Sequence, residues 1–215
     1  MDHFVYQQGV LHCEGLDLRE VAQQFGTPLY VYSRQTILDH YDRLRAAFAA
    51  SDPTICFSVK CCSNLAILRL LGERGAAFDV VSGGELQRVM EAGGDPARAV
   101  FAGVGKTDAD IEAALDANIG WFNVESEEEL EAIQRIAASL KKQVNAAIRI
   151  NPDVVPRTHS HVATGKGDTK FGLDFETVHK IFNSRWRYPN LNIRGVHIHI
   201  GSQIVDPDPF EEAIK

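Results

Sequence analysis

A lysine follows directly after a short apolar run in this sequence. The run Ile55-Cys-Phe-Ser-Val59 leads into Lys60, and Cys61-Cys62-Ser63-Asn64 then opens a helical pattern. A lysine amine at the carboxyl end of an apolar strand can lose its proton more readily than a solvated amine and can then attack a carbonyl carbon. A surface lysine that caps a strand fits the same residue types. The neighbours of Lys60 must therefore decide between the two interpretations.

Other apolar runs also contain or end in polar side chains. They hold Asp79, Arg149, His197 and His199. An unpartnered charge inside an apolar strand is costly, and any one of these residues could be satisfied within the core. Four of them on strands of one sheet are better explained by a shared polar site.

The runs recur at a near-constant interval. They start at residues 55, 77, 99, 121, 146 and 194, so the first four gaps are 22, 22, 22 and 25 residues. Each gap accommodates a strand, a loop and a helix of about ten residues. Capping-box patterns at Ser82–Glu85 and Ser126–Glu129 predict two helix starts, and Gly93-Gly94 predicts a helix end. Strands that alternate with helices imply parallel strands joined by right-handed crossovers.

This α/β pattern fits both a doubly wound sheet and a (β/α)8 TIM-type barrel, and the constant interval favours the barrel. About six βα units are visible, so we expect an incomplete barrel over residues 33–215, truncated after its sixth strand. Residues 1–32 carry two extended stretches, at 9–12 and 28–32, around a helix over 17–25. We assign them to a second, β-rich domain. A Thr-, Gly-, His- and Pro-rich segment over 151–172 precedes the sixth run and is typical of a functional loop.

Composition excludes several classes of protein. The 215 residues are 45% apolar and 24% charged, enough to bury a core. Twenty-two basic residues against 29 acidic ones, with no basic cluster beyond Lys141-Lys142, argue against nucleic acid as a partner. No apolar run approaches the ~18 residues that span a bilayer, and no secretory signal is visible. Four cysteines without disulfide-like spacing predict a cytoplasmic protein.

Several segments, in order along the chain, together resemble one enzyme family. Phe57–Asn64, Phe78–Leu86 and Gly195–Gln203 are similar to three signatures of the alanine-racemase-like, fold-type III decarboxylases that use pyridoxal 5′-phosphate. Within that group, the resemblance to the diaminopimelate decarboxylases rests on Arg149–Asp153, Thr164–Gly172, Phe101–Thr107 and Phe122–Ser126.

The resemblance implies a lyase of lysine biosynthesis that converts meso-2,6-diaminopimelate to L-lysine and carbon dioxide. Two residues would be catalytic: Lys60 would hold the cofactor as a Schiff base, and His199 would stack on the cofactor ring. Asp79 would position or polarise Lys60. Bound pyridoxal phosphate would accept the electrons that the departing carboxylate leaves behind.

The resemblance also implies how the rest of the cofactor is bound. Arg149 would lie near the phenolic oxygen of the ring, while Ser202 and the backbone of Gly201 would bind the phosphate. The partners implied are an amino-acid substrate and a second subunit, in a homodimer with shared active sites. Because the family's remaining cofactor-binding groups belong to the other half of its chains, we expect a polypeptide of these 215 residues to be catalytically impaired. Cys61-Cys62 depart from the family's usual Ala-Asn.

Three alternatives remain open. A metal-dependent barrel hydrolase could use the His197-x-His199 pair, with His159 and His161 as further ligands, although we expect no metal. A non-catalytic protein could store or deliver the cofactor. A sister decarboxylase could act on ornithine, arginine or carboxynorspermidine.

Overall fold

The computed structural model describes residues 3–152, 154, 171–202 and 204–215. The strands are β1 (Phe4–Gln7), β2 (Val10–Cys13), β3 (Leu16–Asp17), β4 (Cys56–Ser58), β5 (Ala77–Val80), β6 (Val100–Phe101), β7 (Trp121–Val124), β8 (Val144–Arg149) and β9 (Leu191–His197). The α-helices are α1 (Leu18–Phe25), α2 (Arg34–Ala47), α3 (Leu65–Glu73), α4 (Gly83–Glu91), α5 (Asp108–Asp116), α6 (Glu127–Ser139), α7 (Phe175–Asn183) and α8 (Asp208–Ile214). Short 3-10 turns lie at Val59–Cys61, Pro96–Arg98 and Arg185–Arg187.

The strands form two sheets. Strands β4 to β9 make a six-stranded sheet in sequence order, every neighbouring pair is parallel, and a helix occupies each crossover. Strands β1 to β3 form a separate antiparallel sheet. The prediction of an incomplete α/β barrel with about six βα units is confirmed. Within the described residues, β4 and β9 are the edge strands of the large sheet.

Alternate residues of the large sheet have opposite surroundings, as the two-residue period of a strand requires. One set is apolar and packs against the helices, and it includes the fully buried Phe78, Phe101, Phe122 and Ile148. The rings of Phe101 and Phe122 stack with centroids 5.8 Å apart. The other set faces the inside of the partial barrel, where polar residues such as Asp79 and Arg149 alternate with small residues such as Ala77 and Ala147. The first set holds the strands in place, and the second set lines the site.

Side-chain caps begin the helices that follow the strands. Ser82 accepts a hydrogen bond from the backbone N–H of Glu85, and Ser126 accepts one from Glu129, as predicted. Each glutamate, however, reaches the N–H one residue before its cap: Glu85 accepts from Val81 and Glu129 accepts from Glu125. These N–H groups lie where a strand has just ended, so they need an acceptor that the sheet no longer supplies.

The sixth strand differs from the prediction at both ends. It begins at Leu191, three residues before the predicted start, and it ends at His197, so the expectation that His199 lies within the strand is wrong. At this end Ile150 still donates its N–H to the carbonyl of His197, the last residue of β9. Leu173 pairs on the other edge of β8, with the backbone groups of Arg149 and Asn151, where β7 has already ended.

The N-terminal segment is built around the small sheet and α1. Residues 28–32, expected as an extended stretch, form no strand. The carboxylate of Glu14 accepts hydrogen bonds from the Ser33 hydroxyl and from the N–H of Gln35, which joins the small sheet to the start of α2. The boundary between residues 1–32 and 33–215 stays a prediction. No helix in the described part of the chain is long and apolar enough to cross a membrane.

Candidate active site

A cavity of about 970 Å³ opens at the carboxyl ends of β4 to β9. Its position matches the end of the barrel where α/β-barrel enzymes bind their substrates. The structure brings all six predicted site residues to its lining, namely Lys60, Asp79, Arg149, His199, Gly201 and Ser202. It adds four polar residues that the sequence did not single out for the cofactor: Ser58, Asn123, Glu125 and His197.

Lys60 lies at the mouth of this cavity. The sequence predicted that the strand leads directly into Lys60. Instead, β4 ends at Ser58, and a 3-10 turn over Val59–Cys61 follows. The turn buries Val59 completely while Lys60 stays exposed on the cavity side. Asn64 then caps α3 by accepting from the N–H groups of Ala66 and Ile67. The amine is therefore held on a short, anchored segment.

Asp79 lies deeper in the cavity than Lys60. The hydroxyl of Ser58, on the neighbouring strand, donates a 2.9 Å hydrogen bond to Oδ2 of Asp79. Burial raises the pKa of Asp79 above its ordinary value, while the Ser58 hydrogen bond and the positive charges of Lys60, Lys106 and Arg149 oppose that rise. Asp79 can therefore exchange a proton more readily than a solvated aspartate.

Arg149 is fixed by a buried ion pair. Its Nη1 donates to both carboxylate oxygens of Glu125, at 2.7 and 2.8 Å, and the two side chains are only 7% and 2% exposed. Its Nη2 donates to the carbonyl of His199 at 3.5 Å, and the Phe171 ring lies 4.8 Å from its guanidinium carbon. The backbone passes so close at Gly172 that a Cβ there would lie 3.1 Å from the Arg149 carbonyl oxygen. The guanidinium thus has one orientation.

The two histidines of β9 and its extension line the same cavity. Burial, followed by the charge of Arg149, lowers the pKa of His197 to about 4 and lowers that of His199. Both imidazoles are therefore neutral at pH 7. The Nδ1 atom of His197 is buried and has no hydrogen-bond partner among the described residues. It is a polar atom inside the cavity that a bound group could satisfy.

The metal alternative gains no support. Among the described residues, no group of three or more His, Cys, Asp or Glu side chains could hold a metal ion. His159 and His161 lie outside the described residues, as do Asp153, residues 164–170 and Gln203 of the family-like motifs.

The lining fits pyridoxal phosphate. It combines an amine that can bond to an aldehyde, a fixed guanidinium, two uncharged imidazoles and, at Gly201-Ser202, a backbone and hydroxyl suited to a phosphate. The unpartnered Nδ1 of His197 and the desolvated Asp79 add polar groups that a polar ligand can satisfy.

The comparison with known families agrees with this chemistry. Residues 34–215 match the family described as "Pyridoxal-dependent decarboxylase, pyridoxal binding domain". The chain belongs to this family.

Within this family, the chain is similar to proteins named diaminopimelate decarboxylase. The chain is 47% identical over 210 residues to a diaminopimelate decarboxylase of Aquifex aeolicus, covering 98% of this chain and 50% of that protein. It is 44% identical to the diaminopimelate decarboxylase of Pseudomonas aeruginosa, covering all of this chain and 52% of that one. The chain thus spans about half the length of the curated relatives it matches.

Solved structures show the same relation. The diaminopimelate decarboxylase of M. jannaschii, in complex with L-lysine, superposes with a TM-score of 0.90 at 39% identity, covering 98% of this chain and 50% of that one. The Helicobacter pylori enzyme, also complexed with L-lysine, gives a TM-score of 0.88 at 40% identity, with 92% of this chain and 50% of that one covered.

Sequence reasoning missed part of the site. The spacing of Asn123, in β7, and Glu125, directly after β7, was a usable signal, since both are polar residues two apart at the end of an apolar strand. Ser58 has the same spacing from Lys60. Lys106, which lies behind the cavity wall, carried no such signal, because it belongs to a loop.

Proposed function

We propose that the protein decarboxylates meso-2,6-diaminopimelate to L-lysine, with pyridoxal phosphate bound to Lys60. The observation that carries the proposal is the convergence of Lys60, Asp79, Arg149 and His199 on one cavity at the carboxyl ends of parallel strands. The substrate is inferred from the relatives named diaminopimelate decarboxylase and from the L-lysine in the M. jannaschii and H. pylori complexes.

Each residue has a proposed task in holding the cofactor. The amine of Lys60 would bond to its aldehyde carbon, Ser202 and the backbone of Gly201 would bind its phosphate, and His199 would pack on the face of its ring. Arg149 would lie beside the ring. When bound, pyridoxal phosphate supplies an electron sink for the electron pair that the departing carboxylate leaves behind.

The protein groups around the ring control charge and protons. Neutral His199 presents a flat surface without adding a positive charge, which the lowered pKa maintains at pH 7. Asp79 would orient the amine of Lys60, and its raised pKa suits it to exchanging a proton with that amine. Ser58 keeps the carboxylate of Asp79 in place.

We extend the proposal to the whole protein. It would work in the cytoplasm as a homodimer with shared active sites, and residues 1–32 would belong to a second, β-rich domain beside the barrel over 33–215. The separate antiparallel sheet formed by β1 to β3 supports the second domain, and the relatives' length, about twice that of this chain, accommodates the rest of it.

Covalent trapping tests the cofactor site. The chain is incubated with pyridoxal phosphate, reduced with borohydride and digested, and we expect one cofactor per chain on the peptide that contains Lys60. Lys60→Met should abolish the label. Lys142→Met, which removes a lysine from the opposite end of the sheet, should leave it unchanged. A label spread over other lysines would contradict the proposal.

A substrate panel tests the reaction. Carbon dioxide release by the whole protein is measured with meso-diaminopimelate, ornithine and arginine, and we expect the highest kcat/KM for diaminopimelate. A preference for ornithine or arginine would overturn the substrate assignment while leaving the cofactor site intact.

A further inference from the structure

Four buried charges form a network behind one wall of the cavity. We define the buried charge network as Lys106, Glu129, Glu125 and Arg149. Their side chains are 0%, 10%, 2% and 7% exposed, respectively. Arg149 lines the cavity, Lys106 and Glu129 line a second cleft of about 420 Å³ beside α5 and α6, and Glu125 lines both. Charges this deep require well-placed partners, so the partners indicate what the network does.

Lys106 uses all three of its N–H donors. Its Nζ donates to the carbonyl of Gly103 at 2.8 Å, to the carbonyl of Asn123 at 2.9 Å and to Oε1 of Glu129 at 2.6 Å. These acceptors belong to the loop after β6, to β7 and to the first turn of α6. A single ammonium group therefore joins three segments that are separate in sequence.

Two of those segments in turn contact Glu125. Gly103 donates its N–H to Oε1 of Glu125 at 3.3 Å, and Oε2 of Glu129 accepts the N–H of Glu125 at 3.3 Å. Lys106 thus fixes both the backbone and the carboxylate of Glu125 from outside the cavity. In turn, each carboxylate oxygen of Glu125 accepts a short hydrogen bond from Nη1 of Arg149.

We propose that Lys106 is a positioning residue, which acts through Gly103, Glu129 and Glu125 to fix the guanidinium of Arg149 at the cofactor. The inference rests on the proposed function for its consequence, weaker cofactor binding, but the orientation of Arg149 can be tested without cofactor. A purely structural ion pair would instead contribute to stability and leave Arg149 where it is.

The first test is Lys106→Met. We expect the affinity for pyridoxal phosphate to fall by roughly tenfold or more, the factor that follows from losing one oriented charged hydrogen bond. In the cofactor-free protein, we expect the side-chain N–H signal of Arg149, assigned by its absence in Arg149→Lys, to lose its protection from solvent exchange in NMR spectra.

The matched control is Lys142→Met. The Lys142 side chain is 29% exposed, and like Lys106 it donates to a backbone carbonyl, that of Leu115, and to an acidic side chain, that of Asp116. These contacts lie at the opposite end of the sheet, so the affinity and the Arg149 signal should stay as in the unchanged chain.

The double variant Lys106→Met/Glu129→Met separates positioning from stability. Replacing both members of a buried ion pair by apolar side chains leaves no unpaired charge and often restores stability. We therefore expect the thermal midpoint to recover while the weak cofactor binding and the unprotected Arg149 signal persist.

Two results would overturn the inference. One is a Lys106→Met protein that binds cofactor as tightly as the unchanged chain with the Arg149 signal protected. The other is a double variant in which both properties return together with stability. If the unchanged chain fails to bind pyridoxal phosphate, the proposed function fails, and the Arg149 signal still decides whether Lys106 positions Arg149.

Discussion

At the scale of single residues, burial determines which charges the site carries. His197 and His199 follow the two-residue alternation into one cavity, and burial together with Arg149 keeps both imidazoles uncharged at pH 7. Arg149 itself is held by Glu125. The positive charge between these three residues is therefore that of the Arg149 guanidinium, and neither imidazole adds a charge at pH 7.

His197 makes acid stability a test of this arrangement. Its pKa of about 4 in the folded protein lies below its ordinary 6.5, so between these values the unfolded chain binds more protons. Stability should fall as the pH falls from 6.5 to 4, with a His197 contribution of at most about 3 kcal/mol. In urea unfolding over this range, His197→Gln should lose less stability than the unchanged chain. Equal losses would show that the imidazole is solvated.

The sequence predicted residues that line the cavity, but it did not predict the residues that support them. Lys60, Asp79, Arg149 and His199 stand out because each interrupts or ends an apolar run. Glu129 is predicted only as the last residue of a capping box, and Lys106 lies in the Phe101–Thr107 segment with no predicted role. Only the fold brings their charged atoms to 2.6 Å, since residues 23 positions apart meet through the crossover geometry.

At the scale of secondary-structure elements, hydrogen bonds between helix N-termini hold neighbouring helices together at the carboxyl end of the sheet. Asp110 illustrates this: its carboxylate accepts from the N–H and the hydroxyl of Thr107, which caps α5, and from the N–H of Gly83 in the first turn of α4. A Cβ at Gly83 would lie 2.6 Å from that carboxylate. The Asp110 carboxylate therefore hydrogen-bonds to the N-termini of two neighbouring helices, α4 and α5.

Removing that side chain should loosen both helices. Asp110→Ala deletes three hydrogen bonds, and we expect it to lower the free energy of unfolding by about 2 kcal/mol. Asp108→Ala is the control, because Asp108 lies in the same helix turn and makes an exposed ion pair with Arg135, whose loss should cost at most about 1 kcal/mol. Chemical denaturation of both variants gives the comparison, and equal costs would refute the shared-cap interpretation.

The elements were predicted better than their ends. The repeat of about 22 residues specified six parallel strands, because the crossover helix fixes the spacing. It could not place the end of β9, because the apolar alternation continues past His197 through Ile198 and Ile200, while the ladder with β8 stops at the pair of Arg149 and His197. The end of a ladder depends on a strand distant in sequence and leaves no local pattern.

At the scale of the whole molecule, the cavity is bounded by a sheet whose outer strands each have one neighbour. In the described residues β4, which leads to Lys60, and β9, which leads to His199, pair only with β5 and β8. The strands that lead to Lys60 and His199 are thus the two edge strands of the large sheet. Decarboxylation depends on excluding water from the reacting groups. Because Lys60 and His199 follow the edge strands, we expect this chain to retain cofactor binding and to lose most of its turnover.

We therefore expect the purified 215-residue chain to bind pyridoxal phosphate at Lys60 but to release carbon dioxide from meso-diaminopimelate poorly. The six predicted residues all line one cavity, which supports the first property, whereas the relatives named diaminopimelate decarboxylase are about twice this length. Borohydride trapping and carbon dioxide release, measured on one preparation, give both values, with Lys60→Met as the blank for each. Fast turnover by this chain would show that β4 to β9 and their loops form a sufficient active site without further strands.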